Sequence, residues 1–429
     1  FCGLEELGSW FQGKNLEKGH EVVGFIQPFY LAYQELNNKN LLSKYGELCC
    51  RLMNEWQRAN KIPINSTRKN DKIRLGIVGE QIRNHSVWNA ITKGLVFNLD
   101  PSRFEIYIFH LGSEIDNETL GARLKVTSYI NNYSSLSDWA KGISEKNIDA
   151  LLYPEIGMDL MTTQLACLRL APLQIACWGH PETTGLPTID YYLSAELFEG
   201  ESSQDAYTET LIKLPNLGCS YSRIPINSTK FDFAKYGIRP NEPLLVCPGT
   251  PYKYAPKYDW IYLEIVKRLG KVRLIFFNYQ NSLTDILKIR LEKMFDGDNL
   301  ILGDYVTFLP WLSPEEFYGL MKYADVYLDT IGFSGFNSAV QAVDCALPIV
   351  TRKSDYMRGS FASGILKKMG IYELIANSDR EYIELVIRLV QDSSYRKRIK
   401  DRIVEFRGII YNDKDSIHAF ENFLIDKVK

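Results

Sequence analysis

From residue 73 onward, short apolar runs rich in β-branched residues alternate with longer stretches whose apolar positions recur every three or four residues. The first kind reads as buried strand and the second as amphipathic helix. In chain order the pattern predicts strand 73–78, helix 86–97, strands 104–111 and 148–153, helix 162–170, and strands 174–178 and 189–194. A polar, irregular zone from Pro215 to Pro243 breaks the pattern and marks a domain boundary. The alternation then resumes with strand 244–247, helix 257–269, strand 272–277, helix 283–294, strand 304–308 and helix 314–323. Strand 325–329, a glycine loop at 331–335, a helix from Asn337 to Val343 and a strand opening at Leu347 follow. After a basic loop and helix over 351–370, Glu381 to Phe406 reads as one long charged helix and Asp415 to Val428 as the last. The first 70 residues or so look helical, with an amphipathic stretch from Asn40 to Arg58, and Lys61 to Asp71 reads as a linker. Strands and helices spaced in this way imply an α/β protein with parallel, doubly wound sheets. We expect a helical segment at 1–70, α/β domains at 71–228 and 229–405, and a C-terminal helix within 406–429. A cleft is expected where the carboxyl ends of the two sheets face one another.

Composition narrows the function classes. Hydrophobic and charged fractions of 45% and 24% are those of a globular protein, and a net charge of −2 gives no general pull toward nucleic acid or anionic membrane. No apolar run is long enough to span a bilayer and no signal peptide is visible, so a cytoplasmic location is expected. The 8 cysteines form no C-x-x-C pair, and several lie in apolar runs, which reads as buried free thiols and neither disulfides nor zinc ligands. The chain opens on Phe1 and not on Met, which leads us to expect a piece of something longer.

Candidate chemistry gathers in four loops that follow strands. They carry Glu80, Gln81, Asn84 and His85; His180, Pro181, Thr183 and Thr184; Cys247 to Lys253, with Thr250 and Tyr252; and the glycine loop leading through Gly335 and Phe336 into Asn337 and Ser338. A strand, a glycine loop and a helix N-terminus together make an anion site, because the first helical amides lack internal partners and the dipole adds positive charge. An ordinary βα turn of an α/β sheet has the same outline. Lys253 is placed to neutralise a pyrophosphate, although a lone lysine before Pro256 also fits a solvated side chain. Of the five histidines, His20, His110 and His418 have no polar company and read as structural. His85 and His180 could act as general base or hydrogen-bond a sugar hydroxyl, or could be satisfied structural residues. No G-x-G-x-x-G, Walker A or H-E-x-x-H motif is present, and Asp296-Gly-Asp298 and Asp413-Lys-Asp415 read as solvated turns.

These residues resemble a known family. Gly76-Ile-Val with Asn84-His85, Leu168-Arg-Leu-Ala-Pro-Leu-Gln174 running into Gly179-His-Pro-Glu-Thr-Thr-Gly185, Tyr252-Lys253, Ala324 to Thr330, and Gly370 to Ala376 are similar to the catalytic region of glycosyltransferase family 41. That family holds the O-GlcNAc transferases and the bacterial cytoplasmic N-glycosyltransferases, and the likeness covers about residues 73 to 405. It implies a GT-B architecture: two Rossmann-like domains, the first on the acceptor side and the second holding a UDP-sugar. It also implies inverting transfer to a protein Ser, Thr or Asn without a metal or other cofactor. Carried over by position, Lys253 meets the diphosphate, Phe336, Asn337 and Ser338 stand at the helix end by the phosphates, and Leu312 meets the uracil through its backbone. His85 faces sugar and acceptor, and His180 lies in a loop over the donor. Several positions depart from the family pattern. Phe336-Asn337-Ser338 replaces His-Thr-Thr, Gln341 replaces a ribose-binding aspartate, Pro314 replaces a lysine, and Gln81 replaces an aspartate of the animal enzymes, so the sugar is left open. The family's tetratricopeptide array is not in this chain, whose first residues resemble the collar beneath it; Gln27 to Gln34 is a candidate acceptor-side wall. Two alternatives stay open: a catalytically inactive relative that acts as a binding module, and a GT-B enzyme acting on a glycan or lipid.

Overall fold

The computed structural model describes residues 2–63, 71–225, 227, 230–239 and 242–428. Most of the expected linker from Lys61 to Asp71 lies outside the described residues. The chain forms two compact units, one of Phe1–Ala32, Leu36–Ser222 and Asn412–Lys429, the other of Tyr33–Glu35 and Arg223–Tyr411.

The first unit is built on a seven-stranded sheet. Its strands are β1 (Ile73–Gly79), β2 (Phe104–His110), β3 (Ser128–Ile130), β4 (Ala150–Tyr153), β5 (Leu173–Cys177), β6 (Tyr191–Ala195) and β7 (Thr210–Leu214), in spatial order β3-β2-β1-β4-β5-β6-β7. Every pairing is parallel, with β1 running beside β2 from Ile73 opposite Phe104 to Gly79 opposite His110. Helices cover both faces of such a sheet, which is why its strands read as unbroken apolar runs. Leu75, Ile77, Val78, Ile108, Phe109, Leu151 and Leu152 are all without solvent exposure.

The second unit repeats the plan with β8 (Leu244–Val246), β9 (Arg273–Phe277), β10 (Val306–Leu309), β11 (Val326–Leu328), β12 (Ile349–Arg352) and β13 (Ile375–Ala376). Their order is β10-β9-β8-β11-β12-β13, again parallel throughout. In each sheet the winding reverses once, between β1 and β4 and between β8 and β11. In open α/β sheets ligands bind beside the carboxyl ends of strands at that reversal.

Several elements differ from the sequence reading. The stretch from Glu381 to Phe406 is two helices, Asp379–Gln391 and Ser393–Phe406, because Asp392 stops the first and caps the second by accepting the Tyr395 N–H at 2.8 Å. Helix 162–170 is shorter, Leu160–Ala166, with Asp159 as its cap. The segment after it is held by the side chain of Gln174, which accepts the Leu170 N–H at 2.9 Å and donates to the Leu168 and Thr188 carbonyls at 3.0 and 2.9 Å. The Arg-Leu-Ala-Pro-Leu-Gln run is therefore a backbone clamp. The last helix, Asp415–Val428, is part of the first unit, where the Glu421 carboxylate accepts the Asp100 N–H at 2.7 Å.

Candidate active site

In the second unit, the loops that leave β8 and β11 meet. Lys253 closes a single 3₁₀ turn, Pro251–Lys253, in which proline at the first position pre-sets the backbone. The turn is fixed from below by Tyr254, whose hydroxyl accepts the Gly249 N–H at 2.9 Å and donates to the Cys247 carbonyl at 2.7 Å. Gly249 has no room for a side chain, since a Cβ there would stand 2.6 Å from Thr330 Oγ1 of the neighbouring loop. The Lys253 ammonium lies 4.7 Å from the centre of the Phe333 ring. Burial pulls its pKa down to about 8, against the opposing pull of the Asp329 carboxylate. Such a lysine is held short of full solvation and gains by meeting an anion. Thr250 Oγ1, in the same turn, is buried with no protein partner.

Asp329 organises the glycine loop. It is buried, and its carboxylate accepts the Ser334 and Thr351 hydroxyls, both at 2.7 Å, and the Gly335 N–H at 3.1 Å. Burial pushes its pKa up to about 6 despite these bonds and Lys253. Ser334 Oγ also accepts the Ala362 N–H at 2.8 Å. Gly335 leaves space for its neighbours: a Cβ would fall 2.3 Å from Ser338 Oγ and 2.8 Å from the Tyr327 hydroxyl, so that hydrogen-bonded pair would have to shift. The loop then delivers the helix Asn337–Asp344, whose N-cap is Phe336, a ring that offers its first amides no acceptor. Ser338 is engaged with the Tyr327 hydroxyl at 2.8 Å, so it shapes the loop as well as facing the helix end. Gln341 lies one turn further along the helix and Leu312 is buried just past β10, beside exposed Trp311.

Three further residues complete this loop pair: Tyr33 and Gln34, which end the stretch expected as an acceptor-side wall, and Glu35, which the sequence reading did not single out. The Tyr33 ring packs on Tyr252 and Phe333, with centroids 4.7 and 4.4 Å apart. The Gln34 carbonyl accepts from Arg358 at 3.0 Å, and the Glu35 carboxylate meets Lys257, Arg352 and the Tyr258 hydroxyl. Tyr33 thus stands against the residues beside Lys253, within the second unit. Its signal in the sequence, one more aromatic in Gln27 to Gln34, did not separate it from its neighbours.

In the first unit, β1 leads into Glu80, Gln81 and His85, and β4 into Glu155. A buried carboxylate, Glu155, accepts the backbone amides of Glu80 and of Gln81, the latter at 2.9 Å. Gly79 permits that approach, because a Cβ would stand 2.8 Å from Glu155 Oε1. Burial, with Asp159 and Glu80 nearby, pushes the Glu155 pKa up to about 8. His110, expected to lack polar company, donates Nε2–H to the Glu80 carbonyl at 2.9 Å and its other nitrogen meets Tyr129. It is a strut for the candidate loop. His85 accepts the Val87 N–H on Nδ1 at 3.2 Å, and burial and the Arg83 charge hold its pKa near about 4. A short π-helical turn, Trp88–Thr92, follows it and runs into Lys93–Asn98, so the expected helix 86–97 begins with a wider turn beside a candidate residue.

The loop after β5 is buried. His180 donates Nδ1–H to the Ile156 carbonyl at 3.0 Å and stacks on Phe29, centroids 4.8 Å apart. After Pro181, Glu182 accepts from Asn38 at 2.8 Å. Thr183 donates to Glu209 at 2.6 Å, and Thr184 offers the same carboxylate its N–H at 2.8 Å. Thr183 therefore holds the loop in shape from inside. The N-terminal helix Lys39–Ala59 packs on this loop glycine to glycine: a Cβ on Gly46 would lie 2.0 Å from the Gly185 carbonyl oxygen. The structure thus gathers Thr250, Tyr252, Lys253, Gly335, Phe336, Asn337 and Ser338 in one unit, and His85, His180, Pro181 and Thr183 in the other. Among the described residues no group of three or more His, Cys, Asp or Glu side chains is arranged to hold a metal, and no helix is long and apolar enough to cross a membrane.

The sequence profile of "Glycosyl transferase family 41" matches residues 28–218 and 227–415. A "UDP-glucose:protein N-beta-glucosyltransferase" of Actinobacillus pleuropneumoniae serotype 5b is 28% identical over 336 residues, 76% of this chain and 51% of that protein. The "Probable UDP-N-acetylglucosamine--peptide N-acetylglucosaminyltransferase SPINDLY" of Petunia hybrida is 25% identical over 364 residues, 80% of this chain and 37% of that protein. The chain thus spans about half the length, or less, of these curated relatives. Among solved structures, an O-GlcNAc transferase variant from Thermobaculum terrenum superposes with a TM-score of 0.77 at 18% identity, over 100% of this chain and 80% of that one. Sucrose-phosphate synthase of Thermosynechococcus elongatus gives 0.50 at 11% identity, over 83% and 99%. These likenesses bear on the fold, which is GT-B-like, with two parallel α/β sheets. Since the profile runs through both sheets and through every candidate loop, the chain belongs to glycosyl transferase family 41.

Proposed function

We propose that this chain transfers a sugar from a UDP-sugar to a protein side chain, with inversion and without a metal ion. One observation carries the reading: the family profile runs through both units, and within it Lys253 stands at the winding reversal of the second sheet, against the Phe333 ring of the glycine loop that leads into the helix Asn337–Asp344. When the anomeric carbon–oxygen bond breaks, the electron pair and the growing negative charge move onto UDP. Lys253 and the first amides of Asn337–Asp344 would receive that charge with little reorganisation, which is where electrostatic stabilisation counts most. In this reading the second unit binds the donor, with Thr250 and Tyr252 beside the diphosphate, Gln341 toward the ribose and the Leu312 backbone toward the uracil. The first unit serves the acceptor, and His85 acts on the sugar or the acceptor group.

Incubating the chain with a panel of UDP-sugars and peptides bearing Asn, Ser or Thr tests the reading, with free UDP and peptide mass as readouts. One donor should release UDP and add one sugar to a peptide, equally well with a chelator present, and Lys253→Ala should slow both about 10- to 100-fold. UDP binding with no turnover of any donor would favour the inactive relative.

A further inference from the structure

His85 is held by a bond whose direction is fixed. A backbone amide only donates, so the Val87 N–H at 3.2 Å requires a lone pair on His85 Nδ1. Neutral imidazole has one protonated nitrogen, which must then be Nε2. For Nε2 to accept a proton while the ring stays neutral, the proton would have to move to Nδ1 and face another N–H. His180 is the opposite case, since its Nδ1 faces the Ile156 carbonyl and must carry the proton. The neighbours of His85 secure the arrangement. Its carbonyl accepts the Asn89 N–H at 2.9 Å, and the Asn84 N–H before it is held by Asp116 at 2.7 Å. Burial and the Arg83 guanidinium disfavour the doubly protonated ring.

We propose that His85 serves sugar transfer as a fixed hydrogen-bond donor through Nε2–H, toward the acceptor group or a sugar hydroxyl, and does not take up the acceptor's proton. This rests on the reading given under Proposed function. In the transfer, the bond from the anomeric carbon to UDP breaks with its electron pair, and the acceptor's N or O forms the new bond. The proton it loses goes to a carboxylate, Glu80 being the one in the same loop.

Two measurements decide the matter. In protein labelled with ¹⁵N-histidine, tautomer-sensitive NMR should show His85 protonated on Nε2 and bare on Nδ1 at neutral pH, the signal being identified by its loss in His85→Asn. A proton on Nδ1 overturns the proposal. The substitutions then separate role from scaffold. Glutamine sets an N–H near the place of Nε2, whereas asparagine sets an acceptor near the place of Nδ1 and can keep the Val87 bond. His85→Gln should retain kcat within about tenfold, while His85→Asn and His85→Ala lose about 100-fold or more with the donor KM little changed. If Gln is no better than Ala, an N–H at the place of Nε2 is not what transfer needs, and if Asn matches the native chain His85 only holds Val87; either result overturns the proposal. Failure of the native chain to turn over any UDP-sugar would instead sink the proposed function, and the NMR result would still decide the tautomer.

Discussion

Lys253, Asp329 and Glu155 lie under or beside the candidate loops, and burial moves each away from its charged form. The direction of each shift has a consequence that can be measured. Lys253 loses its proton near about 8, so UDP affinity should fall as pH rises past that value. Lys253→Arg stays charged and should flatten the profile in titration calorimetry; an equal fall in both proteins would remove Lys253 from the diphosphate. Glu155 titrates at about 8 in the fold against 4.5 when unperturbed, so the native state holds a proton that the unfolded chain releases between those values. The contribution of Glu155 to stability should therefore fall as pH rises from 4.5 toward about 8. Glu155→Gln keeps an acceptor oxygen for the Glu80 and Gln81 amides but cannot ionise. Its melting temperature should be flatter with pH and higher than that of the native chain at pH 8; parallel curves would contradict this.

At the scale of elements, close packing makes its own predictions. Gly46 in the Lys39–Ala59 helix touches the Gly185 carbonyl of the buried His180 loop. Gly46→Ala should destabilise the chain by about 1–3 kcal/mol through overpacking, although alanine favours helix. Gly8→Ala, in a helix with nothing within 4 Å of the new Cβ, should not, and thermal denaturation of the two checks the contrast. Asp392→Ala should cost about 1 kcal/mol by removing the cap that divides Asp379–Gln391 from Ser393–Phe406. That division was readable in principle from Asp392-Ser-Ser, but the charged helical period ran through it and hid the cap. The strands β1, β2, β4, β5 and β9 were legible because burial on both faces leaves long apolar runs. The edge strand β3 is three residues long and the edge strand β7 is half-polar, so neither stands out from a loop. His110, Glu155 and Tyr33 were not legible as parts of the candidate loops, because each reaches them only through the tertiary fold.

For the whole molecule, both sheets wind outward from a central pair of strands, and each reversal lies where loops of concentrated polar chemistry emerge. The loops themselves could be read from glycine, proline and charge in the sequence. Their pairing, β1 with β4 and β8 with β11, is a property of strand order alone. It explains why Lys253 and Asp329, 76 positions apart in number, act on one another. The measurement that tests the central claim most directly is calorimetric titration of the chain with UDP, without added metal, beside Lys253→Ala. The account predicts binding by the native chain and binding weakened about 10- to 100-fold in the variant, the worth of one charge-assisted phosphate contact. No binding by the native chain, or equal binding by both, would contradict the donor site described for the second unit.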